Sequence, residues 1–156
     1  MKKLAHAALI IFCAAFAGCS SLGRDEIGGK EFDSSVRNAD LRIKESRTLS
    51  SLSKLESAVS DYYKAEGRIP AKLDVLIPKY LADMPIVEIS IRGHKDSSGV
   101  QQYPGSVIRD GQVDPSQLQD TGKWGYVFND RQVIVFVDCT HTTSRGTPWY
   151  QERGVY

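Results

Sequence analysis

The chain is 156 residues long, enough for one domain with a modest core and too short for a barrel-sized enzyme. Its 20 Lys and Arg balance 19 Asp and Glu, for a net charge of +1, which argues against a strongly basic nucleic-acid binder and against a long acidic tail. Glycine and proline together make up 19 residues, so the chain as a whole is not low-complexity.

The first element in chain order is an address. Met1-Lys2-Lys3 is a short basic start, and Leu4 to Ala17 is an apolar run of 14 residues broken only by His6. That run is shorter than the roughly 20 residues a helix needs to span a bilayer. A basic start, a short apolar stretch and small residues before a cut form a secretory signal over residues 1–18. Phe16-Ala17-Gly18-Cys19 resembles the lipobox of a bacterial lipoprotein, with Phe16 where Leu is more usual. The resemblance implies that Cys19 becomes the acylated first residue of the mature chain. Each buried CH₂ is worth about 0.8 kcal/mol, so two or three acyl chains hold a protein stably on a membrane. Ser20, rather than Asp, follows the cysteine, which implies a place on the outer membrane facing the periplasm. Loss of the signal removes Lys2, Lys3 and Cys13, leaving 18 basic against 19 acidic residues and a net charge of −1. Cys139 is then the one thiol without lipid, and the exported chain has no internal disulfide.

Residues 19–32 are polar and glycine-containing and read as a flexible linker. From about Asp33 to Glu66 the spacing predicts a long helix: Leu49, Leu52, Leu55, Val59, Tyr62 and Tyr63 recur every three or four residues, with Tyr62 and Tyr63 expected in the core. Val36, Ala39 and Ile43 continue a thinner stripe through a largely solvated first half. Gly67 and Pro70 end the helix. Residues 71–81 predict a helical turn with Leu73, Leu76 and Ile77 inward, and Ile86 to Ile91 a strand. Residues 92–122 read as a long irregular region with a short strand near Val107-Ile108. Lys123–Phe128 and Gln132–Asp138 form a hairpin turned at Asn129-Asp130, and the apolar run 133–137 belongs in the middle of a sheet with both faces covered. The expected fold of residues 33–156 is therefore α+β, a long helix packed on a small antiparallel sheet.

Tyr62-Tyr63, Gly67, Pro70, Leu73, Leu76, Pro78-Lys79-Tyr80-Leu81 and Pro85, with Trp124-Gly125-Tyr126 on the hairpin, resemble the globular domain of type IV pilin-like proteins. The closest resemblance is to the major pseudopilin of type II secretion, over roughly residues 45–138. The pilin start itself is absent, because the corresponding helix carries Arg37, Asp40, Arg42, Lys44, Glu45 and Arg47. Such a face cannot enter lipid or a dry filament core without a large desolvation cost. A pilin-like head moored by lipid follows, rather than a polymerising subunit.

The residues able to carry chemistry are few. Cys139 and His141 share a face if the strand continues, and they offer two ligands to zinc, which takes four in a structural site. Asp120 and Asp138 are the carboxylates that can join them, and His94 lies in a stretch expected to be flexible. A Cys–His nucleophile is the other chemical reading, though no oxyanion-hole loop is recognisable. The favoured expectation for this cluster is structural, with Cys139 ending a buried strand and His141 bonding the C-terminal loop. Asp110, Asp114 and Asp120 lie among Gly111, Gln112 and Gln117 and could suit calcium, which takes about six to eight oxygens, but the favoured reading is a solvated acidic loop with no cofactor. The pseudopilin resemblance implies a calcium-holding loop in this neighbourhood but assigns no ligand residue by residue. Trp149 and Tyr150 either cap the sheet or form an exposed contact patch. Gly122 and Gly125 flank a strand and form no phosphate loop.

Two functions are compatible with these residues. The first is a non-enzymatic interaction or accessory module, bound to the membrane through Cys19 and to an envelope partner of secretion or pilus machinery. The second is an envelope metal-dependent or thiol enzyme using Cys139, His141 and Asp138. Two mature histidines and one thiol are thin equipment for catalysis, which favours the first.

Overall fold

The computed structural model describes residues 25–91 and 93–154. The expected signal over 1–18, Cys19 and residues 19–24 of the expected linker lie outside the described residues. One helix, α1 (Asp25–Glu66), precedes β1 (Val100–Tyr103), β2 (Ile108–Arg109), β3 (Gln112–Val113), β4 (Trp124–Phe128) and β5 (Val133–Val137). Single 3-10 turns stand at Leu73–Leu76, Gly105–Val107, Pro115–Gln117 and Trp149–Gln151. The order is α+β, as expected.

α1 has 42 residues, about 63 Å at 1.5 Å per residue. It starts at Asp25, ahead of the expected Asp33, so residues 25–32 of the expected linker are helical. Gly28 and Gly29 each cost a helix only about 1 kcal/mol relative to alanine, and propagation from the helix behind them offsets that. Leu49, Leu52, Leu55, Val59 and Tyr62 are buried as the spacing requires. Tyr63 is not: it is 54% exposed, because the core-facing stripe reaches Tyr62 and the next position turns outward. The helix stops at Gly67, whose φ of 69° is in the left-handed region and whose N–H donates to the Tyr63 carbonyl at 2.9 Å. Leu73 and Leu76 then turn back into the core, while Ile77 is only partly covered.

The sheet is mixed rather than antiparallel. β4 and β5 form the expected antiparallel hairpin, but β1 pairs with β4 in parallel, Val100 opposite Trp124 and Tyr103 opposite Val127. A parallel pair needs a crossover, and residues 104–123 supply it, carrying the small β2–β3 hairpin. The stretch read as irregular thus holds the edge strand and its crossover. Residues 86–91 form no strand and make one isolated bridge, Val87 with Ser97. The reason is on α1. The buried Thr48 hydroxyl donates to the Glu88 carbonyl at 3.0 Å and accepts from the Glu88 N–H at 2.8 Å, so a side chain occupies the groups a neighbouring strand would have used.

Both faces of the β4–β5 hairpin are buried, as the apolar run at 133–137 demands. Trp124, Tyr126, Val135 and Val137 pack with the α1 stripe and with Leu73 and Leu76. Val127, Ile134 and Phe136 point the other way, onto Tyr103, Val107 and Val113 of the β1–β3 region. Gly125 makes room on that second side: a Cβ there would lie 2.3 Å from the Phe136 ring. Trp149 is 3% exposed within the first core and Tyr150 packs on the second, so they cap the sheet and Trp149 is no exposed contact patch. Their position follows from the tail, whose Trp149 and Tyr150 N–H groups donate to the His141 and Cys139 carbonyls at 2.9 and 3.2 Å.

Candidate metal centre

The ladder of β4 and β5 runs on past its named ends. Asp138 N–H donates to the Lys123 carbonyl and Gly122 N–H to the Asp138 carbonyl, both at 2.8 Å. This continuation sets the segment leading into β4, with Asp120, beside the segment leaving β5, with Cys139 and His141. His94 arrives from the long 87–99 connection, which the Thr48 clamp and the Val87–Ser97 bridge hold against α1. The His94 N–H donates to the Ile91 carbonyl at 3.1 Å.

Four side chains meet there: His94, Asp120, Cys139 and His141, whose ligand-type atoms all lie within 4.8 Å of one another. Cys139 Sγ is 3.6 Å from His94 Nε2 and 3.5 Å from His141 Nδ1. Asp120 Oδ1 is 3.6 Å from His94 Nε2, and Asp120 Oδ2 is 3.7 Å from His141 Nδ1. The two imidazoles stand edge to face, 82° apart. Cys139 is fully buried, the His94 side chain is 7% exposed, and His141 opens the cluster to solvent at 49%.

The surroundings aim these groups inward. Asp120 adopts a positive φ of 54°, a left-handed conformation uncommon outside glycine, and the Thr140 N–H donates to its Oδ1 at 2.8 Å. Gly122 has a φ of 69°, and a Cβ on it would sit 2.7 Å from His94 Nδ1. The imidazole therefore lies in a space that only glycine leaves open. Burial pushes the Cys139 thiol up to about 12; a bond from the His141 N–H opposes this, and the nearby Asp120 charge adds to it. Burial also works to raise the Asp120 carboxyl, but the Thr140 N–H and the adjacent His94 and His141 rings outweigh it and hold the group below the usual carboxylate range.

Of the residues singled out in the sequence, the fold brings Asp120, Cys139 and His141 together and adds His94, whose stretch is held rather than loose. Asp138 is not among them. Its side chain turns to Thr121, accepting from that residue's N–H and hydroxyl, because neighbours on an extended chain face opposite sides. Asp110 and Asp114 do not join Asp120. Asp110 sits in a turn at φ 51°, and Asp114 caps the 115–117 turn through Ser116 and pairs with Arg109 at 3.3 Å. Among the described residues these two join no group of metal-ligating side chains. Gly122 and Gly125 serve as receiving spaces for His94 and Phe136.

Compared with known proteins, the chain matches no family model, no curated protein and no solved structure.

Proposed function

We propose that this chain is a lipid-anchored envelope protein whose pseudopilin-like head is a non-enzymatic interaction or accessory module in a type II secretion or type IV pilus-like assembly. The observation that carries this reading is the division of α1. From Glu31 to Ile43 every residue is exposed, and from Thr48 onward one face is built into the head. A helix so divided suits a stalk that sets a folded head away from a lipid anchor at Cys19. The exposed part presents Phe32, Val36, Leu41 and Ile43 among charged residues, a surface open to an envelope partner. The helix end at Gly67, the return of Leu73 and Leu76, and Trp124 and Tyr126 in the core agree with the pattern that prompted the pilin-like resemblance.

Metabolic labelling with a fatty-acid probe tests the anchor. Label is expected on the wild-type chain and absent from Cys19→Ala; equal label on both would refute it. For the partner, a photo-crosslinking residue at Val36 or Ile43 is expected to capture a secretion or pilus component that the same residue at Lys123, on the head, does not. Capture of lipid alone at all three positions would count against the module.

The enzyme reading draws less support. A nucleophilic cysteine works as thiolate, and with no metal bound burial favours the protonated form of Cys139. In the metal-stripped chain Cys139 should alkylate slowly at neutral pH, at a rate that climbs as pH approaches about 12. Fast, site-resolved alkylation at neutral pH would revive the thiol mechanism.

A further inference from the structure

We propose that His94 Nε2, the Asp120 carboxylate, Cys139 Sγ and His141 Nδ1 bind one zinc ion in a closed four-ligand site that fastens the 87–99 connection to the end of the sheet. The inference stands apart from the proposed function and needs neither the lipid nor the partner.

Distance is the first argument. Hydrogen bonds from an imidazole N–H to a carboxylate run about 2.7–3.2 Å. Both histidines stand farther from Asp120, at 3.6 and 3.7 Å. Zinc bond lengths of about 2.0–2.2 Å to nitrogen or oxygen and 2.3 Å to sulfur place tetrahedral ligands about 3.3–3.6 Å apart. These four separations, 3.5 to 3.7 Å, lie at that spacing within a few tenths of an ångström. The two nitrogen–oxygen distances are too long for hydrogen bonds, whereas the two sulfur–nitrogen distances also suit S–H···N contacts; all four suit ligands around a common centre.

Donor chemistry is the second argument. One thiolate, two imidazoles and one carboxylate form a mixed sulfur, nitrogen and oxygen set suited to zinc and poor for calcium or magnesium, which require mainly oxygen. Four protein ligands leave no open position, which is the pattern of a structural zinc. The third argument is support around the ligands. The Thr140 N–H holds Asp120 Oδ1, and Gly122 leaves the space that His94 fills. Ligands with partners of this kind are oriented before the ion arrives. The half-exposed His141 supplies the way in.

The ligands come from three separate segments: His94 from the long connection, Asp120 from the approach to β4, and Cys139 and His141 from the exit of β5. In a small domain whose one described cysteine is free, a metal can serve as a staple in place of a disulfide. The ion would close a loop between residues 94 and 139.

The test uses the full chain purified in detergent, stripped with a chelator and reloaded. Wild type is expected to retain one zinc per chain by mass spectrometry after gel filtration. With cobalt in place of zinc it should show the visible bands of a tetrahedral ion and a thiolate-to-cobalt charge-transfer band. Cys139→Ser should abolish that charge-transfer band. Because Cys139 is buried, His141→Gln is the companion variant. It should fold with an unchanged circular dichroism spectrum and bind zinc about 100-fold more weakly or worse, beyond the roughly 10- to 100-fold caused by losing a ligand's hydrogen-bond partner. Asp110→Asn, in the other acidic loop, should bind as wild type does. Substoichiometric zinc on a folded wild-type chain, absence of the charge-transfer band, or wild-type affinity in His141→Gln would overturn the site.

Discussion

Between Glu31 and Ile43 every residue of α1 is exposed, whereas between Thr48 and Tyr62 the same helix buries Leu49, Leu52, Leu55, Ala58, Val59 and Tyr62. Apolar side chains occur in both halves. In the first, Phe32, Val36 and Ile43 share one side of the helix and Leu41 lies on another, between charged residues. In the second they recur every three or four positions and make one stripe. The difference teaches that neither apolar content nor a thin aligned stripe decides burial; a sheet to receive the face does. The helix continues through both halves because propagation adds one hydrogen bond per residue without needing a tertiary partner.

That contrast can be broken or sharpened by experiment. The largest expected effect is from Leu52→Ala, which should cost about 2–5 kcal/mol in urea unfolding, through lost transfer energy and a cavity. Ile43→Ala, half-exposed in the other half of the helix, should stay within about 0.5 kcal/mol. Similar losses in both would mean that the first half packs against something after all. Next is Gly125→Ala on the hairpin, whose new methyl must displace the Phe136 ring; about 1–3 kcal/mol of destabilisation is expected by the same assay. Thr48→Val keeps the shape of the helix face but leaves the Glu88 N–H and carbonyl unanswered, at a cost of about 1–3 kcal/mol. Its signature is local: amides of residues 87–97 should exchange faster while those of β4 and β5 hold, and a uniform increase would contradict the clamp. The smallest effect needs no substitution. Amides at 31–43 should exchange through local opening and those at 50–62 only near the global unfolding limit, so equal protection would erase the boundary.

The cluster of His94, Asp120, Cys139 and His141 shows the same division between local and remote causes. Cys139 and His141 are two residues apart on one chain, and their shared face follows from extended geometry. Asp120 and His94 are remote, and different devices bring them in. Asp120 is delivered by the ladder running past β4 and β5, and His94 comes from a connection that Thr48 ties to the helix at Glu88 and fills the space left at Gly122. Asp138 looks in sequence as good a ligand as Asp120, yet strand alternation turns it to Thr121.

The sequence by itself determined the α+β order, the core stripe of α1, its end at Gly67, the β4–β5 hairpin and the burial of that hairpin on both faces. Those are consequences of periodicity and turn chemistry, which act over a few residues. Only the tertiary structure decided that β1 joins the sheet in parallel, that residues 86–91 are tied to Thr48 instead of to a strand, and that His94 meets Asp120, Cys139 and His141. Each of these joins segments far apart along the chain, where no local preference reaches. Their geometry comes from which backbone groups remain to be hydrogen-bonded once the helix and hairpin have packed.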